Sequence, residues 1–341
     1  MRDSVNIRIT GTGSALPGRI VTNKELTQFV ETSDEWIRER TGIIERHVSV
    51  GETVATLASE AAGKALAQAG KKAEEIDLIL LATCSPEEYL PCGACLVQAA
   101  IGAVNALAFD VNAACSGFLF ALQTADAYIR TGLVKNALVI GSEVLSKLVD
   151  WTDRSSCILF GDGAGAVVLE NCAEGSCPED DSHGGTAGGI RGCSLHSDGM
   201  GGEVLQCGGR TLQTPFANAV TEPGQKSYIR MDGREVYRFA TRRVPGCIEE
   251  ALSDAGLTVN DIDLFVLHQA NARIIDAVAQ RLHADREKFP TNLERVGNMS
   301  SASVPVLLDE LGRQGRLHRG DRIVLAGFGA GLTMGACVMI W

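Results

Sequence analysis

Apolar residues in this chain come in two patterns: short uninterrupted runs, and longer stretches in which they recur at helical spacing. Residues 106–111, ALAFDV, are of the first kind and predict a short buried strand. Residues 117–129 are of the second, with Phe118, Leu119, Leu122, Ala125 and Ile129 at helical spacing and Gly132 as a stop after Arg130. Cys115 falls at the hinge where that strand turns into that helix. A longer pattern occurs twice, at 65–83 (ALAQAGKKAEEIDLILLAT) and, 186 residues on, at 251–269 (ALSDAGLTVNDIDLFVLHQ). Each copy reads as the end of an amphipathic helix, a glycine stop (Gly70, Gly256), an acidic loop, and an Ile-Asp-Leu entry into an apolar strand. A second echo pairs GDGAG at 161–165 with GFGAG at 327–331, each between β-rich apolar segments. Strands that run apolar without alternation are buried on both faces, so the pattern predicts an α/β protein built from two similar halves. The seam falls in CAEGSCPEDDSHGGTAGGIRG, which is rich in Gly, Ser and acidic residues and lacks apolar periodicity. This divides the chain into a half at 1–172, a linker at 173–192 and a half at 193–341.

With 341 residues the chain is long enough for two domains or one double domain, and 45% apolar with 21% charged content is ordinary for a globular protein. The start, MRDSVNIRIT, lacks the basic-then-apolar pattern of a secretory signal, and no apolar run reaches the roughly eighteen residues of a membrane span, so a soluble, cytoplasmic protein is expected. A net charge of −11 argues against nucleic acid and anionic membrane surfaces as partners. The eleven cysteines form no dense framework, so most are expected as reduced thiols. Cys92 and Cys95 make one CxxC, and Cys172, Cys177, His183 and Cys193 share a loop-like segment, but these spacings match no standard zinc arrangement and no metal is expected.

Three residues carry candidate chemistry. Cys115 at a helix start would meet unpaired N–H groups and a partial positive charge that favour the thiolate, although a buried structural cysteine fits the same position. His268 stands at the end of the second repeated strand, where the first copy has Ala82. Repeats that differ at a strand's carboxyl end suggest a site there, because open α/β sheets bind ligands outside strand ends; a core histidine bonded to a backbone carbonyl is the alternative. Asn298, in GNMSSAS, reads equally as a turn or cap residue.

Taken together, FDVNAACSGFLFAL, DRSSCILFGDGAGAVVLE, VLHQANARII, ERVGNMSSASVPVLLDEL and GFGAGLTMGA, with TSDEWIRERTGIIERH near the start, resemble the thiolase superfamily and specifically the β-ketoacyl-acyl carrier protein synthase III family. The matching motifs run from about Gly11 to Ala336 in the family's order. The resemblance implies a thiolase-like five-layer αβαβα fold with two duplicated halves and mixed sheets, a homodimer, and no resident cofactor, acyl-CoA being a substrate. It implies a decarboxylating Claisen condensation of a short acyl-CoA primer with malonyl-acyl carrier protein, initiating fatty acid synthesis. By this resemblance Cys115 is the acyl-accepting nucleophile, and His268 and Asn298 complete the catalytic set. The N–H groups of Cys115 and Ala330 form the oxyanion hole, Ala330 standing where the family often has glycine. Trp36, Arg40, Arg154 and Asn271 match coenzyme A contacts, and Arg238, Arg273 and Arg281 match or lie near carrier-protein contacts.

Rival readings differ in identifiable residues. Type III polyketide synthases share Cys, His and Asn but typically follow the histidine with Pro-Gly-Gly, where this chain has Gln269, Ala270 and Asn271. Biosynthetic thiolases carry a second cysteine before the glycine-rich turn, where this chain has Ala326, Gly327 and Phe328. A specialised-metabolism acyltransferase of the same superfamily stays open, as does a non-catalytic acyl-CoA-binding member.

Overall fold

The computed structural model describes residues 6–172, 188–209 and 228–341. In chain order these form β1 (Ile7–Ala15), β2 (Ile20–Thr22), α1 (Asn23–Leu26), α2 (Asp34–Thr41), β3 (Glu45–His47), α3 (Val54–Ala69), β4 (Leu78–Ala82), α4 (Gly93–Ile101), β5 (Leu107–Val111), α5 (Gly117–Arg130), β6 (Asn136–Glu143) and β7 (Gly163–Asn171). The second half follows with β8 (Gly189–Ser197), β9 (Leu205–Gln206), β10 (Arg230–Met231), α6 (Gly233–Ala255), β11 (Leu264–Leu267), α7 (Ala272–Arg281), α8 (Leu293–Val296), α9 (Ser303–Arg313), β12 (Arg322–Gly329) and β13 (Thr333–Ile340). Residues 173–187 of the expected linker lie outside the described residues, Cys177 and His183 among them. From Gly189 onward that segment is strand β8, not linker.

The two halves share a four-stranded core topology, β4, β6, β7 and β1 matching β11, β12, β13 and β8, with β5 added to the first. The first sheet is ordered β1-β7-β6-β4-β5 and the second β11-β12-β13-β8. In the first, β4 runs parallel to β5 and β6, whereas β6–β7 and β7–β1 are antiparallel. In the second, β11–β12 is parallel, and β12–β13 and β13–β8 are antiparallel. The repeat at 65–83 and 251–269 folds alike in both halves. α3 and α6 end at Ala69 and Ala255, Gly70 (φ 66) and Gly256 (φ 67) cap them in the left-handed region, and a 3₁₀ turn leads into β4 and β11. Asp77 and Asp263 then clamp the neighbouring strands, accepting from the N–H of Asn136 at 3.0 Å and of Arg322 at 2.8 Å.

The pairing of GDGAG with GFGAG is corrected. Gly141 on β6 pairs with Gly165 on β7, and Gly327 on β12 pairs with Gly335 on β13, so the two pentapeptides occupy opposite arms of equivalent hairpins. They look alike because both arms need glycine. A Cβ at Gly141 would lie 2.3 Å from the Ser301 carbonyl oxygen, and one at Gly165 2.5 Å from the Val306 nitrogen.

Five layers result. Alternate residues of β4 point to opposite sides: Leu78, Leu80 and Ala82 join α5, α9 and the second sheet in a central core, while Ile79 and Leu81 pack under α3 and α4. β12 does the same, sending Ile323 and Leu325 to the centre and Val324 and Ala326 under α6 and α7. With both faces covered, neither strand has a polar position to alternate, which explains the continuous apolar runs. The outer helices sit close because β1 and β8 carry glycine beneath them. A Cβ at Gly11 would meet the Ala65 carbonyl oxygen at 2.2 Å, and one at Gly192 the Ala251 carbonyl oxygen at 2.2 Å. Gly11→Ala and Gly192→Ala are each expected to destabilise the fold by about 1–3 kcal/mol through overpacking against backbone, measured by chemical denaturation. Denaturation midpoints equal to wild type would contradict the equivalence of these two contacts.

Candidate active site

Cys115 lies in a 3₁₀ turn (Ala114–Ser116) between β5 and α5. Ala114 holds φ 45, and the equivalent turn before α9 (Ser300–Ala302) opens with Ser300 at φ 47. Positive φ in residues with a Cβ is strained, and here the strain marks corresponding points of both halves. The turn is fixed by side chains: Ser116 Oγ donates to Thr333 Oγ1 at 2.7 Å, and Thr333 Oγ1 reaches the Ala113 and Ala330 carbonyl oxygens at 3.1 and 3.0 Å. The end of β12 lies directly against Cys115, since a Cβ at Gly329 would stand 2.7 Å from the Cys115 nitrogen and 2.9 Å from its Cβ. Glycine is required there for close approach, which is how the GFGAG segment serves the site.

His268 follows β11, its N–H donating to the Ala326 carbonyl oxygen at 2.7 Å and its ring edge-on to Phe328 at 5.4 Å. It is 2% exposed, and burial pushes its pKa down to about 3, so the imidazole is neutral near pH 7. Asn298 forms a parallel bridge with Phe160, just before GDGAG, and its Oδ1 accepts from the Ser300 N–H at 2.9 Å. That bond fixes the amide's orientation and leaves Nδ2 as a donor. Cys115, His268, Asn298 and Phe328 line one cavity of about 130 Å³. A second, of about 190 Å³, is walled by Cys84, Cys115, Leu145, Leu148, Ser300 and Ala330. Cys115 therefore stands where two chambers meet.

The helix start does not lower the Cys115 thiol as the sequence reading expects: burial dominates and pushes its pKa up to about 12. A 3₁₀ turn intervenes before α5, and the enclosed sulfur loses more hydration than nearby N–H groups restore.

Trp36, Arg40 and Arg154 come together, the Arg40 and Arg154 guanidinium carbons standing 4.7 and 4.8 Å from the centre of the half-buried Trp36 ring. Asn271 caps α7 by accepting from the Arg273 N–H at 2.9 Å and donates to the Arg40 carbonyl oxygen at 2.9 Å. It also lines the His268 cavity, so it ties the indole cluster to the chamber. Arg238, Arg273 and Arg281 are exposed on α6 and α7, Arg238 pairing with Glu235 at 2.9 Å. The sequence reading missed Arg234 and Arg242, exposed one helical turn either side of Arg238; their i, i+4 spacing is the signal that could have found them. It also assigned no role to Ser300 and Thr333, which lie inside the GNMSSAS and GFGAGLTMGA motifs, or to the buried Glu143, which lies in none of the quoted motifs. Cys92 and Cys95 are free thiols 3.5 Å apart at the start of α4, and no group of three His, Cys, Asp or Glu suited to a metal occurs among the described residues.

Residues 109–188 match the family described as 3-oxoacyl-[acyl-carrier-protein (ACP)] synthase III, and residues 252–341 match its C-terminal domain. A β-ketoacyl-[acyl-carrier-protein] synthase III of Clostridium acetobutylicum is 47% identical over 337 residues, 98% of this chain and 99% of that one. One of Thermosynechococcus vestitus is 50% identical over 337 residues, 98% of each. This chain belongs to the β-ketoacyl-[acyl-carrier-protein] synthase III family. The solved 3-oxoacyl-[acyl-carrier-protein] synthase III of Aquifex aeolicus VF5 superposes with a TM-score of 0.88 at 42% identity, covering 98% of this chain and 100% of its own. The priming β-ketosynthase of the R1128 polyketide pathway reaches 0.87 at 35% identity, covering 98% and 96%. The thiolase-like fold expected from the motifs is thus the fold of this synthase III family member.

Two predictions follow from the packing around Cys115. Its alkylation by iodoacetamide should keep accelerating with pH past 9, because the thiolate fraction keeps rising below a thiol pKa of about 12. A rate that levels off near pH 7 would contradict a buried thiol. Gly329→Ala should leave the circular dichroism spectrum unchanged while lowering the rate of acyl transfer to Cys115 by roughly 10²-fold, the loss that misplacement by about an ångström produces. Wild-type acylation by that variant would remove the close approach from the account.

Proposed function

We propose that this protein performs the initiating condensation of fatty acid synthesis, joining a short acyl-CoA primer to malonyl-acyl carrier protein with loss of carbon dioxide. The observation that carries the reading is the convergence of a nucleophile and two uncharged donors on one chamber, within a chain alike over its whole length to β-ketoacyl-[acyl-carrier-protein] synthases III. Cys115 takes the acyl group from the thioester, and the N–H groups of Cys115 and Ala330 stabilise the oxyanion of that step. The aliphatic chamber beside Leu145 and Leu148 receives the acyl chain. In the second stage, decarboxylation places negative charge on the malonyl thioester oxygen, where a neutral imidazole and the Asn298 amide donate without repelling the substrate carboxylate. The convergence argues against a non-catalytic binding member, which has no need of the set. No resident cofactor is required, because the thioester and the leaving carbon dioxide supply the driving force.

Coenzyme A enters past Trp36, whose indole face suits an adenine ring while Arg40 and Arg154 hold phosphates. An acidic carrier protein suits the exposed arginines of α6 and α7, a local basic surface on an acidic chain. The open edge of β5, with Leu107 54% and neighbouring Val104 74% exposed, suits a homodimer joined strand to strand. No helix among the described residues is long and apolar enough to cross a membrane, consistent with the cytoplasmic location we propose.

Purified protein given acetyl-CoA and malonyl-acyl carrier protein should form acetoacetyl-acyl carrier protein; product only from malonyl-CoA would favour the polyketide reading. Asn298→Ala should still accept an acyl group but lose the second stage by ~10²–10³-fold, the worth of one missing donor, in single-turnover assays. Loss of acylation with decarboxylation kept would place Asn298 in the first stage. Replacing Arg238 and Arg273 with Glu should raise KM for malonyl-acyl carrier protein by roughly tenfold and leave that for acetyl-CoA unchanged. Equal effects on both substrates would refute the docking surface.

A further inference from the structure

The thiol of Cys115 must lose its proton as it attacks, and the groups lining the His268 cavity offer no anionic acceptor. His268 is a neutral imidazole in a setting that strongly disfavours protonation. On the other side of Cys115 stands a group the reaction has not used. Glu143, the last residue of β6, is 0% exposed, and no ion pair neutralises it among the described residues. Its carboxylate accepts from Ser85 Oγ at 2.6 Å, Ser301 Oγ at 2.8 Å, the Cys84 N–H at 3.1 Å and Thr83 Oγ1 at 3.2 Å. A buried carboxylate held only by neutral donors is costly unless it serves a purpose.

Its link to the nucleophile is Ser300. Ser300 shares a chamber wall with Cys115, and its hydroxyl lies 3.8 Å from Cys84 Sγ, which itself stands 3.5 Å from the Glu143 carboxylate; the same hydroxyl favours the ionised form of both Cys115 and Glu143. Cys84, Cys115 and Ser300 line the same chamber, so the hydroxyl faces the space where the thioester sits. The position follows from the duplication. The strained turn at Ala114, which presents Cys115, has its counterpart at Ser300, which thereby presents a hydroxyl to the nucleophile from the opposite half.

We propose that Ser300 and Glu143 form the proton path of the acylation stage. As Cys115 sulfur bonds to the thioester carbonyl carbon, its proton passes to Ser300 Oγ, and the Ser300 proton passes to the Glu143 carboxylate. When the carbon–sulfur bond to coenzyme A breaks, the electron pair leaves on that sulfur, and the proton returns through Ser300 to give the free coenzyme A thiol. In this path Ser300 takes the proton directly from the reacting sulfur and is catalytic, and Glu143 acts through it as a positioning and proton-holding residue. The groups facing Glu143 are Thr83, Cys84 and Ser85 from the end of β4, and Ser300 and Ser301 from the turn before α9. Of these only Cys84 titrates, and burial beside Glu143 keeps its thiol protonated, a donor and not a rival nucleophile. Burial raises the Glu143 carboxyl above its ordinary 4.5, which brings it nearer to the thiol it must deprotonate.

The proposal rests on Cys115 being the acyl acceptor, and the test separates the two. Single-turnover acylation by acetyl-CoA is measured against pH for wild type, Ser300→Ala and Glu143→Gln, and condensation with malonyl-acyl carrier protein is then timed from acyl-enzyme formed by long incubation. In wild type the carboxylate is the base, so acylation should fall as pH drops through a midpoint above 4.5. Both variants should acylate about 10²-fold more slowly and lose that acid limb, while condensation from the preformed acyl-enzyme keeps its wild-type rate. Acylation at the wild-type rate with the acid limb intact would overturn the proton path, as would equal loss of both stages in Ser300→Ala. If Glu143→Gln does not fold, as judged by circular dichroism, Ser300→Ala alone decides, since it removes one oxygen and leaves the Ser300 N–H that orients Asn298. A wild type that takes no acyl group would count against the functional reading itself.

Discussion

Two strained turns, one before α5 and one before α9, press against each other at the centre of the molecule, and the rest of the structure is arranged to hold them there. Each carries a residue with positive φ, Ala114 or Ser300, at a cost of about 1–3 kcal/mol. What offsets it is the central core, where α5 and α9 are sealed between two sheets by side chains such as Phe118, Leu122, Leu307 and Leu311, each 2% exposed or less. The strand residues that face the turns are glycines, because a side chain would collide: Gly141 within β6 against Ser301, and Gly329 at the end of β12 against Cys115.

The same packing decides the electrostatics. The chamber is too enclosed to favour charge, so near pH 7 His268 is neutral and Cys115 is a thiol. A site of this kind suits a reaction that creates and consumes its own negative charge. Donors fixed in advance, such as the Asn298 amide held by the Ser300 N–H, need no rearrangement when that charge forms.

Much of this was legible in the sequence where a residue's role follows from its local pattern. The repeat at 65–83 and 251–269 could be read to the residue, because a glycine stop and an Ile-Asp-Leu strand entry are local signals. His268 stood out because its counterpart is Ala82. The glycine pentapeptides misled, since glycine records only the lack of room and not which arm of a hairpin needs it. The direction of the Cys115 shift was misjudged because a helix start is visible in sequence and enclosure by the distant Gly329 is not. Glu143, Ser300 and Thr333 were passed over for the same reason: each matters through a partner brought close only by the fold.

Three cysteines, Cys84, Cys115 and Cys207, line the aliphatic chamber, so the identity of the acylated residue is a direct test of the geometry. Protein exposed briefly to acetyl-CoA, digested and sequenced by mass spectrometry, should carry the acyl group on Cys115 alone, and malonyl-acyl carrier protein should discharge it. Acylation of Cys84 or Cys207 with Cys115 unmodified would contradict the account.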